Sequence, residues 1–495
     1  MDEDTTTYLG KYGYTIIKEY LPQEELQLIR KELNIAPYVP KTSLNKPTPF
    51  RVYKESKTKI FIPRFYGINN YGNPDKDLLS NGEKISIKFN GSLRDYQQPI
   101  VKAFLNNAKI NGSGLLEIYA GAGKTCMGLY IAAALGVKTL IVVHKEFLLR
   151  QWIERIEQFL PDAKVGRLQR NIIDIEGKDI VIGMLQSLSM KKYDKNIFQT
   201  FGFTIYDEVH HVSAEVFSRA LLKIVTRYSL GLSATMNRKD GLTKVIKMFL
   251  GEVAYKLERQ NTHNVVVKAI NYINNDEDFS RTELNFRGQT HYSLMIKKIC
   301  EYNHRTEFIL GLLKHTLKTT KNPDMQIIIL GHNKSLLTYL FDAISHRKIA
   351  TVGYYIGGMK EEQLKESETK KVIIATYAMA EEGLDIKTLT TLIMATPKVD
   401  VTQAVGRILR KKSSNAEVYD IVDQHDIFKR HFSKRKTYYK KNKFKVIMST
   451  NEEYKIETNW ELLLKDGKKC KSTKKGRSKT IKVETNPFLQ GKCLL

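Results

Sequence analysis

Cysteine is scarce in this 495-residue chain: there are four, Cys126, Cys300, Cys470 and Cys493. They form no C-x-x-C pair and have no His partner at finger spacing, which argues against a disulfide framework or a structural zinc site and for a reducing compartment. Long apolar runs are also missing, since none reaches the roughly 18 residues that a membrane-crossing helix needs. The stretch from Met127 to Val143 comes nearest, but Lys138 and the Gly136-Val137 step divide it into a helix followed by a strand. No membrane partner is expected. The opening MDEDTTTY is acidic and polar, unlike a secretory or transit leader. Acid is otherwise in short supply: 53 Asp and Glu face 80 Lys and Arg, a formal net charge of +27. An excess of that size points to a phosphate-rich partner. With 42% hydrophobic and 27% charged residues, the chain otherwise reads as a globular protein.

Residues 1–85 read as an accessory module. An amphipathic segment, LPQEELQLIRKELNI, precedes a Pro-punctuated stretch with strand-like pieces such as KIFIPRFYG. From Lys88 the pattern changes to short apolar runs, GLLEIYA, TLIVVH, DIVIGM and FTIYDE, each followed by a turn or a helix-like segment. That alternation predicts parallel β/α units over 86–255. Residues 256–300 include the polar stretch INNDEDFSRTELNFRGQTHY and are expected to connect domains. A second β/α series follows over 301–425, with MQIIILGHN, KIATVGYYIG, KKVIIATYA, LTTLIMATP and AEVYDIVD. Residues 426–495 form a basic extension: from Lys411 to the end, 22 Lys and Arg stand against 10 Asp and Glu. Within it FKRHFSKRKTYYKKNKFKV interleaves aromatics with lysine, a pattern that suits stacking on nucleic acid. The segment KDGKKCKSTKKGRSKT is low in complexity and is expected to be disordered.

The sharpest local pattern is Ala120-Gly121-Ala122-Gly123-Lys124-Thr125, placed after an apolar strand and opening the helical run CMGLYIAAAL. Backbone N–H groups of such a turn and helix start can surround a phosphate chain. Lys124 would reach the β- and γ-phosphates of ATP, and the Thr125 hydroxyl would ligate Mg²⁺. Ile118 stands where the strict pattern has its first glycine. The partner acids are Asp207 and Glu208, at the end of the apolar run FTIY. Phosphoryl transfer to water needs a second group to hold Mg²⁺ and another to orient the water, and these two carboxylates suit those roles.

These segments occur in an order that resembles the superfamily 2 helicases, within them the group around XPB, phage UvsW and the poxvirus transcript-release helicase, over about residues 90–425. Leu93-Arg94-Asp95-Tyr96-Gln97 looks like the Q-motif, AGAGKT is motif I, IVVHKEFLLRQW is similar to motif Ia with His144 in place of proline, VIGMLQSL resembles motif Ib, and DEVH is motif II. Ser233-Ala234-Thr235 matches motif III, and Arg238-Lys239-Asp240 resembles the R-E-D element with Lys replacing Glu. IIILGHNKSLLTYL, ATYAMAEEGLDI and QAVGRILR correspond to motifs IV, V and VI.

The resemblance implies an α/β fold of two RecA-like parallel-sheet lobes in tandem, with a small N-terminal module and a basic C-terminal tail. It also implies roles. Gln97 would read adenine, and Lys124, Glu208, Arg407 and Arg410 would serve catalysis, the two arginines being offered from the second lobe. Ser233, Thr235 and Gln403 would couple hydrolysis to movement, and Gln186, Ser187 and Thr376 would touch nucleic-acid phosphates. The implied function is an ATP- and Mg²⁺-dependent helicase or translocase on DNA, in transcription or repair. An RNA helicase, and a nucleic-acid scaffold with a vestigial ATPase, remain as alternatives. An intracellular setting is implied: cytoplasm, nucleus, viral factory or virion.

Overall fold

In the computed structural model the described residues are 5–38, 48–119, 121–194, 196–210, 214–236, 240–258, 265–320, 325–382, 384, 386, 388–408 and 416–469. The chain divides into two compact units, residues 1–260 with 378–385, and residues 261–377 with 386–495.

The first unit is built on an eight-stranded sheet. Its strands run in the order 172–173, 165–169, 180–184, 139–143, 203–206, 228–233, 113–118 and 253–257. All neighbours are parallel except the first pair. A parallel sheet is covered on both faces, which is why its strands read as unbroken apolar runs rather than alternating ones. The run TLIVV shows this: Leu140 and Val142 enter one core, Ile141 and Val143 the other. Helices Gln98–Asn111, Lys124–Leu135 and Glu146–Phe159 supply apolar residues to the second of these cores.

The N-terminal residues add a five-stranded sheet in the order 54–55, 59–62, 13–17, 7–10 and 76–77. Its inner residues Tyr14, Ile16, Ile60 and Ile62 belong to the same hydrophobic cluster as Leu115, Leu140 and Phe249. Arg227 pairs with Asp77 at 2.8 Å, and Lys54 donates to the Leu222 carbonyl at 3.0 Å. The accessory segment therefore shares a core with the sheet that follows it.

The second unit carries a nine-stranded sheet in the order 352–355, 372–376, 326–331, 389–394, 416–423, 265–272, 445–450, 461–465 and 468–469, antiparallel only in the last two pairings. Two stretches differ from the sequence expectation. Within 256–300, expected as a connector, Val265–Tyr272 forms a strand between Ala416–Asp423 and Lys445–Thr450. Within the basic extension, Asp426–Lys441 is a helix that buries Phe428, Phe432 and Tyr439, and Phe444 is buried beyond it. Those aromatics are core, so the stacking surface expected of them is not there. The low-complexity stretch expected to be disordered starts differently: Lys465 and Lys468–Lys469 pair as antiparallel strands, and its residues beyond Lys469 lie outside the described ones.

Two buried ion pairs stitch this unit together. Arg305 grips Asp423 through Nε at 2.5 Å and Nη2 at 3.0 Å, and Arg435 holds Asp420 through Nε and Nη2, both at 2.8 Å. Their remaining guanidinium donors reach the Ala395 and Lys398 carbonyls, each at 2.8 Å. The segment following strand Leu389–Met394 is thereby pinned from two helices. No helix among the described residues is long and apolar enough to cross a membrane.

Candidate nucleotide site

In an open parallel sheet, ligands bind at the carboxyl ends of the strands. In the first unit that edge collects the predicted site. Strand Ser113–Ile118 ends on buried Ile118 and feeds the Gly-rich turn. Gly121 and Gly123 have φ of +88° and +87°, a region that residues with a Cβ enter at a cost. The φ at Gly123 is what demands glycine, and a Cβ there, 2.4 Å from Gln97 Nε2, would also push that amide off the turn. The helix Lys124–Leu135 starts at once, aiming its free N–H groups and the positive end of its dipole at the turn.

Gln97 is buried against that turn. Its Nε2 donates to the Ala122 carbonyl at 2.8 Å and its Oε1 accepts from the Arg94 N–H at 3.0 Å. Tyr96 adds a bond from its hydroxyl to the Ala122 carbonyl at 3.2 Å. The amide expected to read adenine thus braces the backbone of the phosphate turn.

Lys124 and Glu208, 84 positions apart, meet as an ion pair at 2.6 Å, with side chains 10% and 19% exposed. Glu208 reaches there from a left-handed backbone, φ +49°, an unusual conformation for a residue other than glycine. Asp207, beside it, hangs its N–H on the Val142 carbonyl at 3.0 Å. Burial pushes the Asp207 carboxyl up, and the Glu208 charge pushes the same way. The Lys124 ammonium and a hydrogen bond from Trp152 oppose both. That bond, Trp152 Nε1 to Asp207 Oδ2, is 2.9 Å long.

From the acids a polar chain runs to motif III. Glu208 Oε2 lies 3.4 Å from His210 Nδ1, which is 2.6 Å from Ser233 Oγ. Ser233 Oγ also donates to the Thr235 carbonyl at 2.5 Å and accepts from the Thr235 N–H at 3.2 Å. Trp152 and His210 carried no assigned role in the sequence reading. Trp152 stood inside the motif Ia run and His210 inside DEVH, so the signal was there without a contact to interpret it.

The expected nucleic-acid residues occupy the same kind of edge. Gln186 donates to the His144 carbonyl at 3.0 Å, and Ser187 Oγ accepts from the Arg170 N–H at 2.9 Å. In the second unit Thr376 ends strand Val372–Thr376, and Gln403 and Arg407 lie on helix Thr402–Ile408. Thr125 is the second residue of the phosphate-turn helix. Ala120, Arg238, Lys239 and Arg410 lie outside the described residues.

Tandem parallel sheets, the first carrying a phosphate turn and an acid pair at its carboxyl edge, define a class: motors of RecA-like lobes. The profile of the family "Type III restriction enzyme, res subunit" matches residues 90–238. The ATP-dependent RNA helicase candidate L396 of Acanthamoeba polyphaga mimivirus is 35% identical over 462 residues, covering 90% of this chain and 87% of its own. Helicase candidate 161L of Invertebrate iridescent virus 6 is 27% identical over 378 residues, covering 72% and 83%. The crystal structure of T4 UvsW aligns over 90% of this chain and 98% of its own, at 18% identity and a TM-score of 0.36. This chain belongs to the superfamily 2 helicases, in their viral group. It is an ATP-hydrolysing enzyme that binds nucleic acid.

Proposed function

We propose that the protein is an ATP- and Mg²⁺-dependent motor that moves along or unwinds DNA, in transcription or repair. The observation that carries the nucleotide half is the Lys124–Glu208 pair at a helix N-terminus, next to the buried Asp207 carboxyl. A buried carboxylate short of positive charge, with one oxygen held by Trp152, fits a divalent cation. Mg²⁺ is usually held by one or two protein groups together with substrate phosphates, and Asp207 beside the Gly-rich turn offers such a group. Thr125 and Asp207 would hold it, and its chemistry is to neutralise phosphate charge.

The remaining roles fall to the chain's own groups. The turn from Ala120 to Gly123 and the helix start cradle the phosphates, and Lys124 binds the outer ones. In doing so Lys124 exchanges Glu208 for phosphate oxygen, which leaves Glu208 to orient the attacking water. Arg407 and Arg410 counter the charge that develops on the transferred group. Ser233, Thr235 and Gln403 relay the change, and Gln186, Ser187 and Thr376 hold backbone phosphates, contacts that carry little sequence preference.

DNA as the track rests on the resemblance to the XPB and UvsW group. The mimivirus relative's name favours a second reading, an RNA helicase. ATPase stimulation by single-stranded DNA, duplex DNA and RNA, measured in parallel, decides between them. Stimulation by DNA above RNA is expected, and stimulation by RNA alone selects the second reading. Lys124→Ala should abolish stimulated turnover while the protein stays folded. Near-normal turnover by that variant would falsify the nucleotide-site assignment.

A further inference from the structure

Phe286 is the most exposed large apolar side chain among the described residues, at 85%. It sits at the tip of a tight turn whose geometry does not depend on its ring. Leu284 and Thr290 form an antiparallel bridge. The Asn285 N–H donates to the Gln289 carbonyl at 2.7 Å, and the Gly288 N–H returns to the Asn285 carbonyl at 2.9 Å. The Asn285 side chain accepts from the Arg287 and Gln289 N–H groups at 2.9 and 3.1 Å, and Gly288 supplies the positive φ, +71°. Below, Glu283 is paired with Lys298 at 2.6 Å. The turn is rigidly made and holds a phenyl ring out in water, where the ring contributes nothing to the core.

What stands around the ring narrows its partner. The Arg287 guanidinium lies 5.3 Å from the Phe286 ring centroid and pairs with no carboxylate among the described residues. From Leu284 to Ile296 there is one Arg, Arg287, and no Asp or Glu, while Lys297 and Lys298 beyond are paired with Glu301 and Glu283. Leu284 is 55% exposed and Leu294 42%. An aromatic face joined to a cation, in an acid-free segment of a nucleic-acid enzyme, matches an unpaired base and its phosphate better than it matches an apolar protein patch.

The geometry points to this turn as a base-stacking site: Phe286 stacks on a nucleobase of single-stranded nucleic acid, and Arg287 holds the adjoining phosphate. This goes beyond the backbone contacts proposed above and rests on that reading only for the class of ligand. The test uses the full chain and a single-stranded DNA oligomer containing 2-aminopurine. Phe286→Ala should weaken binding roughly 5- to 150-fold, the range that one lost base–aromatic stack accounts for. It should leave the salt slope unchanged, because stacking releases no counterion. Arg287→Ala should reduce the magnitude of that slope by about 0.7, the share of one phosphate on a single strand. Phe286→Trp should restore affinity, with indole emission quenched on binding. The ring is solvent-exposed, so thermal unfolding should be the same in all variants. Wild-type affinity in Phe286→Ala, together with unchanged emission from bound Phe286→Trp, overturns the stacking site and leaves the nucleic-acid reading standing. A wild-type protein that binds no strand overturns both.

Discussion

The Trp152→Phe substitution tests how Asp207 is held. The indole is 1% exposed and donates to Asp207 Oδ2 at 2.9 Å, while its far edge packs on the phosphate-turn helix, where a Cβ on Gly128 would lie 3.2 Å from it. Phenylalanine keeps most of the apolar packing but has no donor. A hydrogen bond to a charged group contributes about 1.5–3 kcal/mol. Truncating a buried Trp or Phe to Ala costs about 3–5 kcal/mol, so the smaller loss here adds on the order of 1 kcal/mol. The variant should therefore be about 2–4 kcal/mol less stable in urea denaturation. The functional effect is separable. Without the bond, the burial and the Glu208 charge that already push the Asp207 carboxyl up meet less opposition. Groups that orient a metal ligand typically shift metal affinity by about 10- to 100-fold. ATPase titrated with Mg²⁺ at fixed ATP should show its midpoint displaced upward by that factor, with turnover recovering at high Mg²⁺. Because the chain has two tryptophans, a Trp460→Phe protein that keeps Trp152 reports the unperturbed Mg²⁺ midpoint by Trp152 emission, the reference against which the variant's ATPase midpoint is set. A destabilised variant with the wild-type Mg²⁺ midpoint would show that the indole packs beside Asp207 without positioning it.

Two further outcomes follow from the second unit. Arg435→Met leaves Asp420 fully buried with only the Tyr439 hydroxyl, at 2.9 Å, among its present side-chain partners, and should cost about 3–5 kcal/mol in chemical denaturation. Replacing both partners, Arg435→Met with Asp420→Leu, should recover much of that loss, and a single variant as stable as the wild type refutes the pairing argument. Ending the chain after Lys469 removes seven Lys and Arg and one Glu. If those residues meet duplex DNA, the log–log salt slope should shrink by about 0.9 for each lost contact, and an unchanged slope shows that they do not. A cut at residue 447 would be a poorer test, because it breaks strand Lys445–Thr450 and asks about folding instead.

The sequence was most legible where physics is local. A strand, a Gly-rich turn and a helix start occupy consecutive residues, so the phosphate turn could be read without knowing any partner. The apolar runs TLIVV and VIIAT could be read because a strand buried on both faces has no polar position to blur it. Strand Val265–Tyr272 escaped for the opposite reasons. It contains Lys268, which becomes tolerable only through Glu417 at 2.8 Å and Tyr419 at 3.1 Å, residues about 150 positions away. The basic extension was misread although its signal was present. Phe428, Phe432, Arg435 and Tyr439 recur at helical spacing and all are buried, whereas composition alone suggested an aromatic–lysine surface. Periodicity, where it conflicts with composition, was the better guide.

Pairwise contacts within the nucleotide site were the least legible, and sheet order shows why they matter. Strand Tyr228–Ser233 lies between Phe203–Tyr206, which leads to the acids, and Ser113–Ile118, which leads to Lys124. Lys124 and Glu208 therefore close their 2.6 Å pair across the end of the strand that carries Ser233. The same Glu208 approaches His210, and His210 bonds to Ser233, so the acid is tied on one side to Lys124 and on the other to Ser233. A phosphate that draws Lys124 away from Glu208 changes the charge facing His210. The hydrogen bonds of Ser233 with His210 and Thr235 are the next to respond. Sequence spacing cannot express this connection, because it arises from the order in which parallel strands enter the sheet. The left-handed backbone at Glu208 is what lets one residue face both neighbours.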